Sequence, residues 1–241
     1  MSIVTHTHRA RFDDPLSYIR RATDRLYTIW IGYTYPFASR GRNLSIHYPC
    51  RLDKRVADHI SIGNSVLIAK DVWLNIVRDD SHDIKLMIES NCSIGARDTL
   101  SARNSIHIEQ NVIIATSVLI QDHNHAYKDI SRPIGEQGVT AGGRIRIEQG
   151  CWIGQGAAIV CNEGELVIGR NSVVGANALV TRSFPPYSVI VGNPGRLARK
   201  LDLTSTIGKE RESGLEAPAE SEHSTLSGFS AGPASTESVR I

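Results

Sequence analysis

The chain has 241 residues, 41% of them hydrophobic and 22% charged, with a formal net charge of +2. That length supports one sizeable core and that balance is ordinary for a globular protein, while so small a charge does not suggest a nucleic-acid partner. No apolar run approaches the ~20 residues of a membrane span. Cys50, Cys92, Cys151 and Cys161 show no CxxC or other metal spacing, and the N-terminus carries no signal-peptide pattern, so reduced thiols and a cytoplasmic location are expected.

Pro15 to Trp30 places Leu16, Ile19, Ala22, Leu26, Ile29 and Trp30 at helical spacing, with Arg20, Arg21 and Arg25 elsewhere on the surface. This predicts an amphipathic helix. Residues 1–55 are read as a cap on the adjoining domain; contact of the basic helix with a membrane surface is the alternative.

From Val56 a six-residue period takes over. Ile62, Ile68 and Leu74 begin it, and four more triplets continue it: Ile88, Ile94, Leu100; Ile108, Ile114, Ile120; Ile147, Ile153, Ile159; and Ile168, Val174, Val180. A helix repeats its apolar positions every three or four residues and an amphipathic strand every two. A step of six fits short strands that each turn one large residue inward, with small residues such as Gly63, Gly95, Gly154 and Gly175 where the chain bends. Three such strands close one triangular coil, and coils stack by strand pairing at ~4.8 Å. The prediction is an all-β parallel β-helix over 56–203, since one coil cannot bury its own core.

Every interruption of the period falls after the third member of a triplet: Leu74 to Ile88, Leu100 to Ile108, Ile120 to Ile147, and Ile159 to Ile168. All insertions therefore belong on one edge of the prism, and loops on a rigid scaffold are where sites are usually built. In the first of them Asn75, Asp79, Asp80, His82 and Asp83 are candidates to meet sugar hydroxyls, although a solvated loop explains them equally well. The longest insertion opens with Gln121-Asp122-His123-Asn124-His125-Ala126-Tyr127. An imidazole there can take a proton from a hydroxyl or bind a metal, or it can simply brace the loop. Asp122 and Tyr127 are placed to fix a ring.

Further on, Cys151-Trp152-Ile153-Gly154-Gln155-Gly156 turns Ile153 inward, so Trp152 should point out and offer a stacking surface or a subunit contact. The segment Val180-Thr181-Arg182-Ser183-Phe184-Pro185-Pro186 ends the strand pairing. After it, Arg196, Arg199 and Lys200 join Arg182 in a cluster able to bind phosphates, or form the basic face of a final short helix. Residues 204–241 shift to Ser, Glu, Gly, Ala and Pro and are expected to be a disordered tail.

Together the hexapeptide array, DHNHAY, CWIG and VTRSFPPYSVIVGNPGRLARKL resemble the hexapeptide-repeat acetyltransferases, nearest in these motifs to the sugar O-acetyltransferases of polysaccharide and lipopolysaccharide synthesis. The resemblance covers about Val56 to Leu201. It implies a left-handed coil, against the usual right-handed crossover. It also implies a homotrimer with acetyl-CoA held in clefts between subunits. On that resemblance His123 is the general base and His125 the fallback. Trp152, Gly154, Gln155, Ala176, Thr181, Arg182, Arg196 and Arg199 are the cofactor contacts, the last two and Arg182 meeting phosphates. Two departures stand out: Cys161-Asn162-Glu163-Gly164-Glu165 is longer than the family's usual turn, and Arg182 stands where Lys is frequent.

The expected chemistry is acetyl transfer from acetyl-CoA to a hydroxyl, a sugar's first of all, with N–H groups near Gly154 and Gln155 stabilising the carbonyl oxygen and no metal needed. A metalloenzyme resembling the γ-class carbonic anhydrases is the competing reading, with His107, His123 and His125 as ligands. Against it stand Trp152 and the GNPGR segment, which have no purpose in a hydratase. A non-sugar acceptor, or a binding protein that has lost catalysis, complete the alternatives.

Overall fold

The computed structural model describes residues 15–201, so the tail expected over 204–241 lies outside the described residues. The chain winds as a left-handed parallel β-helix with three sheets as its faces. The first sheet holds Ser39–Arg40, Ile60–Ile62, Leu86–Ile88, Ser105–Ile108, Arg144–Ile147 and Glu165–Ile168. The second starts at Ser45–Ile46 and ends with Val173–Val174, Ser188–Val191 and Arg196–Lys200, and the third runs from Cys50–Leu52 to Leu179–Val180.

All fifteen aliphatic positions of the six-residue period point inward, and none is more than 2% exposed. Cross-strand register stacks them in columns: Ile62, Ile88, Ile108, Ile147 and Ile168 pair in turn on the first sheet. Each buried side chain of this size contributes roughly 1.5–3 kcal/mol. A second inward column lies two residues earlier at the corners, where Val66, Val72, Cys92, Val112, Val118, Cys151, Ala157 and Ala178 are all buried. At the bends backbones approach so closely that a Cβ on Gly95 would run into the Ala115 carbonyl. Gly95→Ala is accordingly expected to destabilise the protein by about 2 kcal/mol in denaturant titration.

Stacking begins earlier than the repeat indicates. Ser39–Arg40, Ser45–Ile46 and Cys50–Leu52 already pair with the next coil. The predicted helix is present and longer, Pro15–Thr34, but it buries a different face. Ile31 is 1% exposed, Tyr27 Oη donates to the Cys50 carbonyl and Thr28 Oγ1 to the Ile46 carbonyl. Leu16, Ile19, Leu26 and Trp30, read as its apolar stripe, are all more than half exposed. No helix among the described residues is long and apolar enough to cross a membrane.

The other correction is at the C-terminal end. The final short helix is instead a strand, Arg196–Lys200, antiparallel to Ser188–Val191. The second sheet would otherwise end on an open edge, and the turn through Gly192–Gly195 folds the chain back to cover it.

Candidate active site

The insertions do share one edge. Strands of the third sheet at Val72–Ile76, Thr99–Ala102, Leu119–Gln121 and Ala158–Val160 each lead through an insertion to the next strand of the first sheet. At the start of the longest insertion Asp122 is fully buried and His123 is 6% exposed. Asp122 accepts backbone N–H bonds from Arg103 (2.7 Å), Asn104 (2.8 Å) and Ser105 (2.9 Å), and lies 2.9 Å from His123 Nδ1. A carboxylate so surrounded only accepts, so the proton of the shared bond belongs to His123 Nδ1. That tautomer leaves the lone pair on Nε2.

The loop is built to hold this pair. Gln121 Nε2 donates to the His123 carbonyl at 2.5 Å and to Asn124 Oδ1 at 3.0 Å. Asn124 and Thr140 exchange bonds, His125 bridges Val139 in antiparallel fashion, and Gly143 N–H closes on the Asp122 carbonyl. Gly142, at φ +81°, passes so close that a Cβ would meet the Asp122 carbonyl oxygen at 2.8 Å and His123 Cβ at 3.3 Å. His125 is exposed on the outer leg of the arm. Asp129 fastens the tip through Ser131 and Arg132, and those donors hold its carboxyl below the usual carboxylate range.

Asp122 and His123 stand out in the sequence, whereas Asn104, Thr140 and Gly142 do not. Asn104 carries no such signal: the coil here is 20 residues long, with Gln121 in register with Ser101, and Asn104 meets Asp122 from the turn that follows Thr99–Ala102.

The candidate donor-binding residues fall into two places. Trp152 does point outward, 52% exposed. On the outer face of the second sheet, register continues from Ile113 through Trp152, Val173 and Val189 to Arg199. Three strand spacings separate Trp152 from Arg199, about 14 Å. Gln155 and Ala176 are exposed on the neighbouring corner between the second and third sheets, where Asn177 N–H bonds the Gln155 carbonyl and Gly195 N–H the Leu179 carbonyl. Arg196 opposes Val191 in the same closing hairpin. Gly154 belongs to this corner but is buried, and its N–H is taken by the Val174 carbonyl at 2.7 Å. It is therefore no donor to a substrate oxygen, because the coil above already uses it.

Thr181 and Arg182 are elsewhere. They continue from Leu179–Val180 on the insertion edge, two coils beyond the strand that leads to His123. Both are exposed, and Arg182 stacks over the Phe184 ring at 5.3 Å. One chain thus brings Thr181 and Arg182 to the edge of His123, and sets Trp152 and Arg199 on the sheet opposite that edge.

The three histidines of the metalloenzyme reading are not gathered either. His107 lies on the first sheet bound to Glu89 at 2.7 Å, and no group of three metal-ligating side chains occurs among the described residues. In the first insertion Asn75 is committed to Ser101 Oγ, and Asp79 pairs with Lys85 at 2.6 Å.

No family model matches the chain. Over 124 residues it is 28% identical to a protein of Mycobacterium tuberculosis named as a probable acetyltransferase, covering 52% of this chain and 40% of the relative. Over 107 residues it is 30% identical to the Escherichia coli protein WbbJ, named as an O-acetyl transfer protein of lipopolysaccharide biosynthesis, covering 42% of this chain and 53% of the relative. The chain thus spans about half, or less, of the curated relatives it matches. Among solved structures, the N-acyltransferase AntD of Bacillus cereus, in complex with dTDP and 3-hydroxybutyryl-CoA, superposes with a TM-score of 0.59 at 23% identity, over 78% of this chain and 94% of that one. That likeness is one of fold. In its coils, and in the part of the chain that these relatives match, the protein is similar to the hexapeptide-repeat, left-handed β-helix acyltransferases.

Proposed function

We propose that the protein is an acetyl-CoA-dependent O-acetyltransferase acting on a hydroxyl of a sugar or polysaccharide precursor, with His123 as general base. The observation that carries this reading is the Asp122–His123 pair, a buried carboxylate on Nδ1 with Nε2 left to act. An alcohol holds its proton too tightly to attack a thioester at neutral pH. Nε2 takes that proton as the oxygen bonds to the acetyl carbonyl carbon, and Asp122 steadies the resulting imidazolium. The carbon–sulfur bond then breaks, and the proton held by His123 goes to the departing thiolate. With Gly154 N–H committed, the Gln155 N–H is the remaining candidate on that corner for the carbonyl oxygen.

The basic residues fit an acyl-CoA. Arg196, Arg199 and Lys200 are exposed on the closing strand, with Arg199 in line with an exposed Trp152. Because Trp152 and Arg199 lie opposite the His123 edge, we assign the working site to two neighbouring copies, one giving the edge and the other its second sheet. A closed ring of three such contacts suits a triangular prism. A cytoplasmic location goes with the supply of acetyl-CoA. In support, the matched relatives are named acetyltransferases and AntD was solved with an acyl-CoA.

The test is thiol release from acetyl-CoA against a panel of sugars, with Trp152→Ala alongside the native protein. We expect acceptor-dependent release, and a KM for acetyl-CoA raised about tenfold in the variant with little change in kcat. No release with any acceptor, together with no binding of coenzyme A, would overturn the reading.

A further inference from the structure

The insertion edge carries a second feature that acetyl transfer alone does not explain. Beside the Asp122 cradle lies an open recess of about 540 Å³, whose lining includes Asp79, Asp83, Lys85, Arg103, Asn104 and Arg144. A volume of that order takes a monosaccharide with one substituent. Its charges are unevenly matched. Lys85 is 2% exposed, and its Nζ donates to the Val77 carbonyl at 2.9 Å and to Asp79 Oδ2 at 2.6 Å. That pair is internally neutral and ties the first insertion down. Arg103 is half-buried and Arg144 exposed, and neither guanidinium has a hydrogen bond or ion pair among the described residues. Against these two cations the recess holds one unpaired carboxylate, Asp83, while Glu165 neighbours Arg144 in cross-strand register without pairing to it.

The position is as telling as the charge. Arg103, Asn104 and Ser105 line the recess and hold Asp122 with their backbone N–H groups. A molecule bound here is one carboxylate away from His123. Guanidinium groups bind phosphate and carboxylate through paired N–H donors. We propose that Arg103 and Arg144 hold an anionic group of the acceptor, so that the acceptor is an acidic sugar bearing a phosphate or a carboxylate rather than a neutral one. The chemical step after binding rests on the acetyl-transfer reading, but the site itself can be tested without turnover.

The experiment is a calorimetric titration of the full chain, with coenzyme A present in saturating amount to occupy basic residues elsewhere. The titrants are glucose 1-phosphate, glucuronate and glucose. At least one anion should bind where glucose does not, and whichever binds tighter identifies the group as phosphate or carboxylate. The double variant Arg103→Gln, Arg144→Gln should weaken that binding by about 10–100-fold. Asp83→Asn should tighten it by a few-fold, about what removal of one partly screened like charge gives. Both arginine side chains reach solvent, so thermal melting serves as the folding control. Equal affinity in the double variant, or no anion binding by the native protein, would overturn the proposal. Arginine-dependent anion binding by a protein that releases no thiol leaves this site standing and removes the acetyl-transfer reading instead. Thiol release with an acceptor KM indifferent to both arginines removes this proposal alone.

Discussion

Replacing His123 by alanine is expected to lower kcat for acetyl transfer by about 10²–10⁴-fold, the usual range for loss of a general base, with the KM for acetyl-CoA little changed. The residues proposed to bind the donor lie on other elements, so removal of the imidazole should leave them in place. His125→Ala is the control. His125 is exposed and has no carboxylate behind it, so its loss should change kcat by no more than about twofold. Asp122→Asn separates orientation from proton transfer. Asparagine cannot accept from three backbone N–H groups and from Nδ1 with one oxygen, and its amide would present a donor to donors. We therefore expect a fall in kcat of at least about 10²-fold and a lower melting temperature, since unmet buried N–H groups cost about 1–3 kcal/mol each. Near-normal turnover in His123→Ala would remove the base assignment, and loss in His125→Ala of the size expected for His123 would transfer it.

The coil was legible in the sequence because each inward residue is buried by neighbours one repeat away, so a one-dimensional period carries three-dimensional information. Where that condition fails, so does the reading. Arg40 stands in register with Ile62, in a slot that an aliphatic residue fills in every later coil. The helix rather than another coil adjoins it, as shown by the Arg40 side chain lying against Gly32, and so the first coil is hidden. The helix itself misled because its apolar residues outnumber those its single contact with the coil can bury. Ile31 and Tyr27 face inward, while Leu26 and Trp30 stay out. In the site, His123 and Asp122 were visible as residue types, whereas the three N–H donors that hold Asp122 are backbone groups with no side-chain signature. Arg199 aligns with Trp152 only because Arg196–Lys200 turns back as a strand. A run of Arg and Lys near a chain's end does not announce that.

Replacing Asp98 is expected to change stability by several kcal/mol at alkaline pH. Asp98 occupies the corner column that holds Val72, Val118, Ala157 and Ala178 in the other coils of the same sheet, and it is fully buried. Oδ1 accepts from Val118 N–H at 2.8 Å, but Oδ2 has no partner among the described residues. Burial outweighs the Val118 and Gly95 N–H groups and the Arg97 charge, and pushes its pKa up to about 7 from 3.8. Below about pH 4 both folded and unfolded chains carry this proton, so it has no effect on the balance. Between pH 4 and 7 the unfolded chain ionises while the folded one keeps its proton, so stability falls as pH rises; above 7 both are ionised and the loss is complete. At ~1.4 kcal/mol per unit the loss is on the order of 4 kcal/mol. Asp53, Asp79 and Asp129, whose partners lower their pKa values, act in the opposite sense and below pH 4. Asp98→Asn keeps the bond to Val118 and cannot ionise. Its melting temperature should match the native protein near pH 4 and exceed it by about 10 °C at pH 8, measured at one protein concentration. Melting curves that stay parallel from pH 4 to 8 would mean that the folded and unfolded chains titrate Asp98 alike, and would overturn this account.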